Sequence, residues 1–278
     1  MKTIGIIGTG FVGGAIMRGF TLFTDVKAYD KDPHRSCNPL EEVCKQDIVF
    51  LCLPTPMVRA DGGETDLSII RAVCNQVKPL AGSSTVFVLK STVPVGTTQK
   101  LRKEIGISLV HNPEFLTARR ADLDFITPAR TVIGGDSHDI AIVAELYKER
   151  FPGTNMLLMT SDESEAVKYI SNCFFAVKVI FFNEMKLGLS SFPINWDTVM
   201  EGVLTDGRIG CSHYQVPGHD GKFGFGGTCF SKDISSLIEQ IKSKGFDPLM
   251  LEACWEQNKI LRPDLDWQYL SSVIPENS

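Results

Sequence analysis

Residues 4–13 read Ile-Gly-Ile-Ile-Gly-Thr-Gly-Phe-Val-Gly, an apolar run that breaks into glycines at Gly8, Gly10 and Gly13. Few folds accept such a segment. The run is too short for a helix and suits a buried strand, the glycines permit a tight turn, and a helical pattern resumes beyond them. Strand, turn and helix at the start of a chain predict a βαβ unit. The first half repeats this alternation, with candidate strands at 3–7, 26–29, 48–53, 86–89, 108–110, 131–133 and 156–159. Helical patterns lie between them, among them 67–77 and 140–150. Mostly continuous apolar runs, rather than in-out alternation, suit strands buried on both faces of a parallel sheet.

After Thr160 the pattern changes to a long helical stretch, about 162–189, that opens on a candidate capping box, Thr160-x-x-Glu163. No later strand is readable, and a loop rich in Gly, His and Pro interrupts the helices at about 205–228. The expected fold is therefore α/β, a doubly wound parallel sheet followed by an all-helical second domain, divided as 1–160 and 161–278. A length of 278 residues fits two domains. With a net charge of −5 the chain carries no electrostatic footprint for nucleic acid. No signal peptide or membrane span is readable, so a cytosolic (cytoplasmic) protein is expected. The eight cysteines form no Cys-x-x-Cys pair, and Cys52, Cys74, Cys173 and Cys254 read as small core hydrophobes. Cys211, His213, His219 and Asp220 match no ligand spacing, so a plain loop and no metal are expected there.

The turn at Gly8 also carries chemistry. Gly-x-Gly-x-x-Gly between a strand and a helix lets the backbone approach a pyrophosphate, with helix N–H groups facing it. Gly8, Gly10, Phe11, Val12 and Gly13 are thus candidate cofactor-binding residues. Asp30 closes the next strand at the distance of about 20 residues expected of a carboxylate that accepts from the adenosine ribose. That carboxylate disfavours a 2′-phosphate and selects NAD, although Arg35 nearby could greet a phosphate.

Several later segments place polar groups at strand ends, where open α/β sheets bind ligands. Ser91 and Thr92 follow one strand and face nicotinamide or substrate, unless Thr97 merely caps a helix and Thr92 is exposed. Glu114, in His111-Asn112-Pro113-Glu114-Phe115-Leu116, follows another. Among apolar neighbours its pKa would rise toward a useful value, whereas in an ordinary loop it would only be solvated. Lys168 and Asn172 share a face of the long helix, either as an anchor for an oxyanion or as a solvent-facing stripe. Cys229 stands in Gly224-Phe225-Gly226-Gly227-Thr228-Cys229, just before a helical pattern at about 232–244 whose positive end favours thiolate. Asp233 either favours that helix start or orients a water or Lys168.

Taken together, Gly8–Gly13, Ser91-Thr92-Val93-Pro94, Asn112-Pro113-Glu114-Phe115-Leu116, Lys168-x-x-x-Asn172 and Phe225-Gly226-Gly227-x-Cys229-x-x-Lys232-Asp233 resemble the UDP-glucose/GDP-mannose dehydrogenase family over essentially the whole chain. The resemblance implies an NAD-dependent four-electron oxidation of a nucleotide sugar, with UDP-glucose as the expected substrate. It implies that Cys229 forms a thiohemiacetal and then a thioester, that Lys168 and Asn172 stabilise the oxyanion, and that Asp233 positions base and water. Glu114 would serve as acid and base in hydrolysis, Thr92 would contact the reacting groups, and Thr55, like Ser91, the cofactor. Phe115, Leu116, Phe225 and Gly226 fall in its substrate segments, and Arg208 resembles an Arg that reaches a neighbouring subunit's substrate, which implies a homodimer through the helical domain. Three departures stand out. The chain ends about where the family's linker to a third, nucleotide-binding domain would begin, Ala118 replaces an acidic residue, and Ser231 replaces a common Pro. A two-electron β-hydroxyacid-type dehydrogenase, which has no need of Cys229, and a silent NAD-binding scaffold are the competing expectations.

Overall fold

The computed structural model describes residues 2–59, 62–270 and 273. The chain begins β1 (Ile4–Ile7), α1 (Phe11–Phe20), β2 (Val26–Tyr29), α2 (Leu40–Val43), β3 (Ile48–Leu51), β4 (Met57–Arg59) and β5 (Gly62–Thr65). It continues with α3 (Ser68–Val77), β6 (Val86–Leu89), α4 (Thr97–Leu101), β7 (Leu109–His111), α5 (Ala121–Ile126), β8 (Arg130–Gly134), α6 (Ser137–Arg150) and β9 (Asn155–Met159). The helices α7 (Ser161–Gly188), α8 (Trp196–Leu204), α9 (Phe230–Lys242) and α10 (Leu249–Leu261) follow.

Two compact units result: Met1–Thr55 with Asp66–Lys168, and Pro56–Thr65 with Tyr169–Ser278. The division lies inside α7, beyond the expected residue 160. The first unit holds a seven-stranded sheet in the order β2-β1-β3-β6-β7-β8-β9. Ile4 pairs with Val26 on one side and Ile48 on the other, so β1 sits where the strand order reverses. The sheet is not wholly parallel as expected: β7 and β8 run antiparallel. Between them α5 lies by α1, where Phe125 packs on Phe20 at 5.6 Å and Arg18 grips Asp122. The chain therefore re-enters the sheet at the edge where β7 ended instead of crossing over it.

Both faces of the central strands β1, β3, β6 and β7 are buried, as the apolar runs predicted, whereas the edge strand β9 is largely exposed. Ile4, Ile6, Phe50 and Val88 point into one core with Phe20, Tyr147 and Phe151, while Val49, Leu51, Phe87 and Leu89 point into another with Ile70 and Leu109. Phe20 meets the rings of Phe50, Phe125, Tyr147 and Phe151 at 5.6–6.1 Å, each pair adding about 0.5–1.5 kcal/mol beyond area burial.

The capping box before α7 forms: Glu163 accepts from the Thr160 N–H and hydroxyl at 2.8 Å, and Thr160 Oγ1 accepts from the Glu163 N–H at 3.3 Å. The second unit is mainly helical but not all-helical, because the β4–β5 hairpin belongs to it. Thr65 Oγ1 donates to Ser236 Oγ of α9 at 2.8 Å, and Ser235 Oγ lies 3.2 Å from Met57 Sδ. Strands of three and four residues, one containing two glycines, give no periodicity to read. Met57 joins Cys173, Ile180, Ile234, Ile238 and Trp255 in this unit's core.

Candidate functional site

In the first unit, the turn after β1 shows three uses of glycine. Gly8 has φ +90°, and a Cβ there would lie 2.3 Å from the Cys52 carbonyl oxygen. A Cβ on Gly13 would lie 1.9 Å from the Gly8 carbonyl oxygen. At Gly10, by contrast, nothing lies within 4 Å, and α1 begins with no side-chain cap. An open approach to uncapped helix N–H groups fits a dinucleotide's pyrophosphate. Phe11 is 43% exposed, while Val12 packs on the core.

Asp30 accepts from the Thr9 N–H at 2.7 Å and from the Asp32 N–H at 3.0 Å. Burial opposes ionisation, but these bonds and the Arg35 charge hold its carboxyl below the usual range, leaving a carboxylate available to a ribose hydroxyl. Arg35 stays in the same loop, with its Nε 3.6 Å from Asp32 and its carbonyl accepting from Thr9 Oγ1 at 3.1 Å.

Farther along the sheet edge, the ends of β3, β6 and β7 are tied together. Ser91 Oγ donates to the Leu53 carbonyl at 2.6 Å, and the buried Thr55 hydroxyl donates to the Thr92 carbonyl at 3.0 Å. Thr92 is itself buried, and Thr97 does not cap its helix, since Gly96 takes the N-cap with no side-chain bond of that kind. Lys90 donates to Asn112 Oδ1 at 2.8 Å, which also accepts from Tyr147 Oη at 2.7 Å. Burial pushes the Lys90 ammonium down to about 8.

Glu114 meets Lys168: the ammonium donates to the Glu114 carbonyl at 2.6 Å and to Oε1 at 2.9 Å, while Oε2 accepts from the Leu116 N–H at 2.7 Å. The expected rise of this carboxyl does not occur. Burial pushes it up, but Lys168, the Leu116 N–H and Lys90 outweigh that and hold it below the ordinary carboxylate range. Phe115 packs under two cations, Arg130 at 4.4 Å and Lys168 at 5.4 Å, and Leu116 rests on the core.

In the second unit, Cys229 is the N-cap of α9, half-buried, and its carbonyl accepts from the Asp233 N–H at 2.9 Å. Asp233 is buried, with Oδ2 accepting from Asn172 Nδ2 at 2.6 Å and Oδ1 paired with Lys232. Burial pushes the Lys232 ammonium down, but Asp233, Tyr169 and Cys229 together raise it above its ordinary value. Lys168 thus donates to Glu114, and Asn172, four residues on, donates to Asp233.

The glycine loop before Cys229 is pinned from behind. Gly224 N–H donates to Asn183 Oδ1 at 3.0 Å, and Phe225 exchanges two bonds with Asn258 at 2.7 and 3.0 Å. The Phe225 ring is buried against Trp255. A Cβ on Gly226 would lie 2.4 Å from Asp266 Oδ1 and 2.5 Å from Arg262 Nη1. Arg262, 2% exposed, holds both Asp220 and Asp266 at 2.6 Å. Arg208, at 90% side-chain exposure, folds onto Asp206 of its own loop. His213 stacks on Phe175 at 4.2 Å. Among the described residues, no three His, Cys, Asp or Glu gather to hold a metal, and no helix is long and apolar enough to cross a membrane.

The model of the UDP-glucose/GDP-mannose dehydrogenase family NAD binding domain matches residues 35–151, and that of the same family's central domain matches residues 162–260. The chain belongs to this family. Its first unit is the NAD-binding domain and its cofactor is NAD. The chain is 36% identical over 208 residues to a UDP-glucose 6-dehydrogenase of Rhizobium meliloti (strain 1021), covering 71% of this chain and 46% of that one. It is 32% identical over 231 residues to a UDP-glucose 6-dehydrogenase of Pseudomonas aeruginosa, covering 78% and 49%. The structure of a UDP-glucose dehydrogenase from the hyperthermophilic archaeon Pyrobaculum islandicum is similar with a TM-score of 0.83 at 28% identity, over 96% of this chain and 72% of that one. The chain spans about half the length of the curated relatives it matches. A Mycobacterium tuberculosis 3-hydroxyisobutyrate dehydrogenase, 18% identical with a TM-score of 0.74, shares the fold.

Within this family architecture, several supporting residues escaped the sequence reading: Lys90, His111, Ser164 and Glu165 in the first unit, and Asn183, Lys232, Asn258 and Arg262 in the second. Lys232 stood beside Asp233 in the motif itself, and Glu165 lies one turn before Lys168 on the same helix. Asn258 in the last turn of α10 and Arg262 at its C-cap gave no signal, because Phe225 and Asp220, which they hold, lie more than thirty residues away in sequence.

Proposed function

We propose that the chain oxidises the primary alcohol of a nucleotide sugar, UDP-glucose first among candidates, to the carboxylate in two hydride transfers with Cys229 as nucleophile. The observation that carries this reading is Cys229 at the start of α9, one turn from the buried Asp233–Lys232–Asn172 cluster. NAD, when bound, accepts one hydride in each oxidation. Glu114, held as a carboxylate by Lys168, would take the proton of the substrate hydroxyl directly or through a water and would serve as acid and base when the thioester is hydrolysed. The Cys229 thiolate then adds to the aldehyde carbon, and the Lys168 ammonium and the Asn172 amide stabilise the oxygen of the thiohemiacetal. Loss of the second hydride leaves a thioester, which water hydrolyses to free the carboxylate and the thiol. Asp233 orients Asn172 and positions that water.

A homodimer is part of the proposal. Ile170, Phe174, Phe181 and Met185 are exposed along one stripe of α7, which supports burial against a second copy. Arg208 would exchange its Asp206 partner for a phosphate of the neighbouring subunit's substrate.

The deciding experiment supplies the full chain with saturating NAD and, in turn, UDP-glucose, GDP-mannose and UDP-N-acetylhexosamines. Two NADH per sugar are expected, with Cys229→Ser stalled before the carboxylate. One NADH per sugar with free aldehyde released, and a Cys229→Ser rate near that of the unsubstituted chain, would favour the two-electron alternative.

A further inference from the structure

Glu165 is a fully buried carboxyl with neutral donors around it. Its Oε2 accepts from the Gly96 N–H at 2.6 Å, and its Oε1 from the Thr98 N–H at 2.8 Å and the Thr98 hydroxyl at 2.6 Å. Burial pushes this carboxyl up to about 7, the Thr98 and Gly96 bonds pull it back only in part, and Asp162 adds to the rise. Three donors thus tie this one carboxyl to both Gly96 and Thr98.

The preceding residue is engaged too. Ser164 Oγ lies 2.8 Å from His111 Nδ1, and His111 Nε2 lies 3.3 Å from the Ser91 carbonyl oxygen. Burial pushes the His111 imidazole down to about 3, so the ring is neutral. A carbonyl only accepts, which assigns the proton to Nε2 and makes Nδ1 the acceptor of the Ser164 hydroxyl. Adjacent residues in the first turns of α7 therefore hold both ends of the segment 91–98: Ser164 through His111 to Ser91, and Glu165 to Gly96 and Thr98.

That segment leaves β6, while Asp30 ends β2, and β1 and β3 separate the two strands in the sheet. A dinucleotide lying across the carboxyl ends of the strands, with its adenosine at Asp30, carries its nicotinamide toward β3 and β6. We propose that Ser164 and Glu165 are positioning residues that set the nicotinamide half of the NAD site through the segment 91–98. The proposal rests on the first unit as an NAD site and is independent of Cys229 and of any sugar.

The test compares NAD with ADP-ribose, which lacks the nicotinamide, binding to the full chain and to Glu165→Gln. Removing one charge-assisted acceptor is expected to weaken NAD about tenfold and to leave ADP-ribose within about twofold. Thr98→Val, which deletes a single hydroxyl bond, is expected to act in the same direction by about threefold, and it carries the test if Glu165→Gln fails to fold. Equal weakening of both ligands, or no weakening of NAD, would overturn the positioning role. If the unsubstituted chain bound neither ligand, the NAD assignment would fall and the proposal with it.

Discussion

Two glycine loops in this chain run into helices, and their glycines serve different ends. In the turn before α1 the atoms that exclude a side chain are backbone: the Cys52 carbonyl against Gly8 and the Gly8 carbonyl against Gly13. In the loop before α9 they are mainly side-chain atoms: Asn258 Oδ1 against Gly224 at 2.5 Å, and Asp266 Oδ1 with Arg262 Nη1 against Gly226. A backbone collision has no inexpensive escape. A side-chain end can swing away, at the cost of the hydrogen bonds it was making. The first loop is thus a rigid product of its own strand-turn-helix geometry, and the second is held in place by α10 and the residues just after it.

That contrast can be broken by substitution. Gly13→Ala is expected to have the largest effect, a loss of about 3 kcal/mol or more in unfolding free energy with NAD binding abolished, because nothing flexible can yield. Denaturant unfolding measures it, and a loss below about 1 kcal/mol would show that the turn is softer than its contacts imply. Gly226→Ala is expected to cost about 1–2 kcal/mol as Arg262 and Asp266 shift, with NAD affinity unchanged, since the disturbance stays in the second unit. Titration of that variant with NAD checks the separation, and a matching fall in NAD affinity would contradict it. The smallest stability effect belongs to Gly10→Ala, where the space is open: within about 0.5 kcal/mol. NAD affinity should nevertheless fall in Gly10→Ala, because a methyl would occupy the pyrophosphate's approach. Unchanged affinity would mean that the open space at Gly10 is not the ligand's.

Much of the first unit was legible because its signals are local. Seven apolar runs became the seven strands of the main sheet, and Thr160 and Glu163 formed the capping box their spacing indicated. The reversed direction of β8 was not legible, since the strand's own residues carry no record of which neighbour they pair with. The hairpin 57–65 failed for a related reason: it is short, and it gains its place from Ser235 and Ser236, far away in sequence. At the candidate site the sequence offered candidate residues but not their partners. Glu114 was expected to rise in pKa among apolar neighbours, and Lys168, more than fifty residues later, lowers it instead.

Sequence alone indicated the seven strands of the main sheet, the glycine turn after the first of them, and the presence of Cys229 ahead of a helix, because each is written in residues adjacent along the chain or one helical turn apart. The tertiary structure decided which charges meet: Lys168 with Glu114, Asn172 and Lys232 with Asp233, Arg262 with Asp220 and Asp266, and Glu165 with the backbone of 96–98. Electrostatic and hydrogen-bond energies fall steeply with distance, so a group's ionisation follows from what packs within a few ångströms of it. Only the folded chain brings those neighbours there.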